Sequence, residues 1–239
     1  MAHPSAALVE FDAALSSAQR LSRIEARYLD PPHSGTAPTV QALRGGFCVL
    51  VVGSFEKFLS DAFAEHLARL EGSPPPVTFA DLPEKLRLSS VFASLERAMK
   101  GPRHGAPSKQ AGRYPDVLAA SRRVVSGNID PQALAQTGGN PDAGRVTQMF
   151  VAIGVADPFS ATRPHFDALW GKPEASTFVP DKLDEILNAR HRVAHTANAL
   201  AVTRGHLLEW PRFLQVLATV LDKRLDDYAT NLVAGTSAP

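Results

Sequence analysis

Between Leu187 and His195 the chain reads Leu-Asn-Ala-Arg-His-Arg-Val-Ala-His, which places Arg190, His191 and His195 close together. An arginine stays charged and can hold an anion through two parallel hydrogen bonds. A histidine changes charge near neutral pH, so it can take up or release a proton during a reaction. Two histidines four apart on a helix, here His191 and His195, can also share a metal ion. The stretch lacks the glutamate of the zinc-protease pattern, and no Asp, Glu or Cys is evident as a third ligand. His206 is the nearest candidate, and no metal is expected.

At about 100° per residue, Leu183, Ile186, Leu187, Val193 and Ala194 fall on one apolar face of a helix. Arg190 falls in the middle of that face, and His191 and His195 lie along its edge. A guanidinium on an apolar stripe loses hydration and is costly unless paired or used. Two readings stay open. Arg190 can form a buried ion pair, with Glu56 on the central helix as the candidate partner. Alternatively it sits at a helix or subunit seam where an anion enters, with Glu56 orienting it.

The elements that must position these residues are helices. Leu8, Phe11, Leu15, Leu21, Ile24 and Tyr28 recur at mostly three- and four-residue intervals, which predicts a helix over 6–29, stopped by Pro31-Pro32. A long central helix is expected over 39–71, apolar on most sides from Phe47 to Phe63. Gly45, Gly46 and Gly53 weaken it unless they permit close packing. Further helices are expected over 82–100, 114–125, 143–154, from Pro180 to Thr196, and from Pro211 to about Leu232. Asn140-Pro141-Asp142 is a capping sequence for the fifth of these segments. No sustained period-two stretch and no internal repeat is present. The fold class is therefore all-α, in a single domain over 1–239 with a loop-rich insertion at about 101–140.

The segment Glu185 to Thr196, with its Arg-His-Arg-Val-Ala-His centre, resembles the motif helix of the HEPN superfamily. There an Arg and a His are separated by four to six residues, commonly with a polar residue after the Arg. The pattern alone is weak, because 18 arginines and 8 histidines produce about two such pairs by chance. Arg27/His33 and Arg97/His104 also match, but the first straddles Pro31-Pro32 and the second Gly101-Pro102. The central helix, with Gly45-Gly46-Phe47 leading to Ser54-Phe55-Glu56-Lys57-Phe58-Leu59, is similar to the family too. So is the closing helix entered through Thr203 to Pro211. The nearest group is RiboL-PSP-HEPN, and the resemblance covers 39–71 and 143–232.

The resemblance implies a HEPN-like helical bundle that homodimerises, with two Arg–His pairs in a shared cleft. Arg190 and His195 become the catalytic pair, and His191, Glu56 and Asn188 the supporting residues. It implies a metal-independent endoribonuclease, needing no cofactor, that cleaves RNA through attack by the ribose 2′-OH. A toxin or antiviral-defence setting follows from the family, with an antitoxin or defence-system protein as partner. On an ideal helix Arg190 and His195 point about 140° apart, so a two-fold dimer would have to bring Arg190 of one subunit to His195 of the other. The competing reading is a non-catalytic HEPN-fold binding or dimerisation module. A small metalloenzyme using His191 and His195 is a third.

Composition narrows the rest. Hydrophobic residues are 44 % and charged residues 21 % of the chain, values of a globular protein. A net charge of +1 gives no global pull toward nucleic acid, so any such attraction must be local. The local candidates are Arg103, Lys109, Arg113, Arg122 and Arg123, which with Lys100 face a single acid, Asp116. That run reads either as a solvated surface or as a track for an RNA backbone. Cys48 is the only cysteine, which removes disulfides and favours a reducing, cytoplasmic setting. No signal-peptide layout is seen, and the longest apolar run falls far short of the roughly 20 residues that span a bilayer, so no membrane partner is expected.

Overall fold

A computed structural model describes residues 4–73, 77–100, 112–196 and 198–236. The described chain is all-α: α1 (Ala6–Glu25), α2 (Ala37–Glu71), α3 (Glu84–Lys100), α4 (Tyr114–Val125), α5 (Pro131–Leu134), α6 (Ala143–Ala152), α7 (Pro158–Trp170), α8 (Phe178–Thr196) and α9 (Arg204–Thr236). A single 3-10 turn, Phe79–Asp81, precedes α3, and no strand occurs among the described residues. No described helix is long and apolar enough to cross a membrane.

The local chemistry of the ends accounts for most boundaries. Ser5 caps α1 by accepting a hydrogen bond from the Leu8 amide. Asp142 accepts from the Arg145 amide at 2.7 Å and opens α6 as its capping sequence predicts. Two helices differ from the sequence reading. α7 was not expected: Asp157 caps it, Pro158 occupies its first turn, and Gly171 closes it at φ 93°, although Pro164 lies inside. α9 begins at Arg204 rather than Pro211, because Thr203 and His206 cap each other. The Thr203 amide donates to His206 Nδ1 at 3.2 Å, and the His206 amide donates to Thr203 Oγ1 at 3.3 Å. This is a capping box with an imidazole in the place of the usual Glu or Gln. Pro211 is thereby an interior proline. The expected loop-rich stretch also carries structure, since α4 and the short α5 both pack on α3.

The fold divides into two compact units, and α2, α6 and α9 each continue from one into the other. The first comprises residues up to Leu59, with Thr137–Thr147 and Asp157–Arg224; the second comprises Ser60–Gln136, Gln148–Ala156 and the chain from Leu225. The core of the first unit contains Phe11, Phe55 and Phe58 in mutual ring contact at 5.4–6.1 Å. A second cluster joins α7 to α8 and α9 through Phe166, Trp170, Phe178 and Phe213, with the Arg212 guanidinium 4.5 Å over the Trp170 ring. In the second unit Phe63 meets Phe150 edge-on at 5.0 Å.

Within the first unit a charge cluster is buried. Glu25 is 0 % and Arg44 2 % exposed. Arg44 donates to Glu25 Oε1 from Nε at 2.9 Å and from Nη2 at 2.5 Å, while Arg204 Nε donates to Oε2 at 3.0 Å. Arg44 also reaches Asp30 at 2.9 Å, and Arg204 donates to the Tyr28 carbonyl at 2.8 Å. Two cations thus share one carboxylate at the meeting of α1, α2 and α9. Removing Glu25 would strand Arg44 in an apolar interior. Glu25→Ala should therefore lower stability by about 3–5 kcal/mol, read as a reduced midpoint in chemical denaturation.

Cys48 is 1 % exposed, and burial pushes its thiol up to about 12. It should resist a thiol reagent such as DTNB in the native protein and react once the chain unfolds. Rapid labelling of the folded protein would contradict this packing.

Candidate functional site

The site is built on the far end of α8. Val179, Leu183, Ile186, Leu187 and Ala189 are buried. Beyond them the helix emerges: Arg190 and Val193 are half-buried, and His191, Ala194 and His195 are exposed. The apolar face expected to include Ala194 therefore ends a turn early. The reason is that α8 runs past the edge of the unit, where little remains to cover it.

What still holds the last turns is a close approach to α2. A Cβ added at Gly45 would lie 3.4 Å from Val193 Cγ1 and 3.7 Å from Ala199 Cβ. Val193 and Ala199 therefore pack against α2 at this point, with room for a methyl group but not for a larger side chain. Gly46 plays a similar part toward Leu21 of α1, at 3.6 Å. Gly53 does not, since nothing lies within 4 Å of its added Cβ, so the packing role expected there is absent. Past the helix, Thr196 Oγ1 donates to the Arg192 carbonyl at 2.7 Å, and Asn198 accepts from the Leu200 amide at 3.1 Å.

Arg190 makes no hydrogen bond or ion pair among the described residues, so the expected link to Glu56 is not formed. Glu56 instead accepts from Thr137 Oγ1 at 2.7 Å. The Thr137 carbonyl in turn accepts from Arg145 Nε at 3.0 Å, and the Ala143 amide donates to Asp184 of α8 at 2.8 Å. Glu56 thus braces the turn before α6. Asn188 is exposed on α8.

His191 and His195 stand side by side, with ring centroids 4.3 Å apart and planes at 53°. Neither ring has a hydrogen-bond or ion-pair partner among the described residues. Arg190, half-buried, and His195, exposed, occupy different sides of the helix, in line with the wide angle expected within one chain.

His206 is engaged elsewhere. Its ring stacks on Trp210 at 4.6 Å, and Nε2 lies 3.7 Å from Glu185 Oε1. Trp210 Nε1 donates to the same oxygen at 3.3 Å. Lys182 contacts Glu185 at 2.9 Å and Glu209 at 3.3 Å. Burial works against the Lys182 charge, yet these two carboxylates hold its pKa above the ordinary lysine value. This α8–α9 cluster was missed from sequence. The recurrence of Lys182, Glu185, His206, Glu209 and Trp210 at helical spacing was its only signal. No group of three or more potential metal ligands occurs among the described residues.

Of the basic candidates, Arg103 and Lys109 lie outside the described residues. Arg113 donates to the Met99 carbonyl and Arg123 to the Ile129 carbonyl at 3.4 Å, so both help hold the α3–α4–α5 unit together. Arg122 is exposed.

An all-α chain carrying an arginine and a histidine five positions further along on an emerging helix end has the layout of a HEPN-type domain. A family model, RiboL-PSP-HEPN, matches residues 15–227, and the chain belongs to that family. The match takes in 72–140, beyond the stretches in which the motifs were legible. HEPN domains are often ribonucleases, and commonly bind RNA and dimerise. No curated protein and no solved structure matches the chain.

The glycine contacts set a paired test. Gly45→Leu should crowd Val193 and destabilise by about 1–3 kcal/mol. Gly53→Ala, facing open space inside a helix, should stabilise by up to about 1 kcal/mol. Denaturant midpoints of the two variants should move in opposite directions.

Proposed function

We propose that residues 1–239 work as one HEPN-like domain and that the chain is a metal-independent endoribonuclease acting as a homodimer. The observation that carries this reading is Arg190: a half-buried guanidinium with no anionic partner among the described residues, one turn from two open imidazoles. A charge in that setting is satisfied by an incoming anion, and a phosphodiester fits its two-pronged geometry.

In the reaction, neutral His195 takes the proton of a ribose 2′-OH as the oxygen attacks the adjacent phosphorus. Arg190 stabilises the charge that grows on the phosphoryl oxygens. The bond from phosphorus to the 5′ oxygen breaks, and the imidazolium returns its proton to that leaving oxygen. The products are a 2′,3′-cyclic phosphate and a 5′-hydroxyl end. DNA, lacking the 2′-OH, is not cut. Because Arg190 and His195 diverge on one helix, the phosphate is held by Arg190 of one copy and served by His195 of the other, across a two-fold axis. His191 and Asn188 border the substrate, and Glu56 supports the site indirectly through the Thr137 turn, while the exposed Arg122 is a candidate RNA contact within its own unit. A cytoplasmic toxin or antiviral-defence effector, restrained or triggered by a partner protein, is the biological role that suits such a nuclease.

The alternative is a HEPN-fold binding or dimerisation module without catalysis. The exposure of His191 and His195 among the described residues favours it.

The experiment is single-stranded RNA cleavage by the purified protein in EDTA. Cleavage with cyclic-phosphate products is expected, and His195→Ala and Arg190→Ala should each reduce the rate about a hundredfold or more, with helical content unchanged by circular dichroism. RNA binding without cleavage would favour the module, and full activity in His195→Ala would remove the acid–base role.

A further inference from the structure

We infer that His191 and His195 form a chelating site for a late first-row divalent cation, zinc foremost, whose occupancy switches the proposed cleavage off. The chelation stands on geometry. The two rings project from one side of α8 with centroids 4.3 Å apart. Both side chains are exposed, and neither ring nitrogen is engaged by a described residue. In the neutral form each ring therefore presents an uncommitted lone pair, and the spacing of four lets both reach one ion.

The donor set selects the metal. Imidazole nitrogen suits copper, nickel and zinc, whereas magnesium and calcium take oxygen ligands. A tetrahedral zinc would complete its shell with water on the open side. The surrounding charges pull in two directions. Arg190 and Arg192 repel a cation, while α8 ends at Thr196, so the negative end of its helix dipole attracts one. The result is a site of two ligands that fills and empties with metal concentration, rather than a permanent structural centre.

The consequence for activity rests on the nuclease reading above. A metal held by His195 occupies the lone pair that would accept the 2′-OH proton, so binding and catalysis exclude each other. Metal then acts as an inhibitor of a metal-independent enzyme, and a chelator relieves it.

Two measurements separate the claims. In the first, Zn2+ is titrated into the purified protein by calorimetry, with Mg2+ as the comparison. Wild type should bind Zn2+ and ignore Mg2+, and His191→Ala and His195→Gln should each weaken Zn2+ binding about tenfold or more. Zn2+ affinity unchanged in both variants overturns the site, whatever the RNA assay shows. In the second, RNA cleavage is followed as Zn2+ is raised, then with EDTA. Loss of cleavage tracking the calorimetric affinity, restored by EDTA, supports the switch. Undiminished cleavage at saturating Zn2+ overturns it. A protein that binds Zn2+ through these residues but never cleaves RNA refutes the nuclease reading and the switch together, and leaves the metal site standing on its binding data.

Discussion

A carboxylate with no exposed surface has to be neutralised where it sits, because water cannot do it. Glu25 is such a group, and the chain answers it with Arg44 from α2 and Arg204 from α9. The consequence is directional. Hydrophobic contact alone would let three helices slide against one another, but two guanidiniums on opposite oxygens of one carboxylate tolerate little displacement. Arg44 immediately precedes Gly45, on which Val193 packs, and Arg204 opens α9 directly after the short connection from α8. The charge cluster therefore fixes both structures that hold the emerging end of α8.

That end is where the chemistry gathers. Up to Ala189 the helix is held by burial; from Arg190 onward it is held by one glycine contact and its own capping hydroxyl. Side chains that could bind an anion or move a proton are thus placed where a ligand can reach them. The same exposure that makes them reachable leaves both imidazoles without a hydrogen-bond partner among the described residues. Under the proposed reading a phosphate held at this end gains enclosure from another surface, which is why that reading needs a second copy.

The sequence made the all-α class legible because apolar residues recur at three- and four-residue intervals through α1, α2, α8 and α9, and a period of that kind is a property of local backbone geometry. It also made Asp142 legible as a cap, since its hydrogen bond spans only three residues. It failed at α7, where no helix was expected and Pro164 lies inside, and at the start of α9, which was placed at Pro211 rather than Arg204. Packing of Trp170 and Phe213, and the Thr203–His206 cap, outweigh a single lost backbone hydrogen bond.

The motif residues Arg190, His191 and His195 were singled out by their spacing within an uninterrupted helical stretch and by its resemblance to the HEPN motif helix, and their placement on one helix needed nothing more. Their partners could not be read that way. Glu56 was assigned to Arg190 because opposite charges attract, yet it is taken by Thr137, a residue 81 positions away. Glu25, Arg44 and Arg204 carried no signal at all, since their pairing joins three helices across up to 179 positions of chain. Periodicity and caps are settled by neighbours along the backbone. Which buried charge meets which depends on how the helices finally cross, and only the tertiary structure decides that.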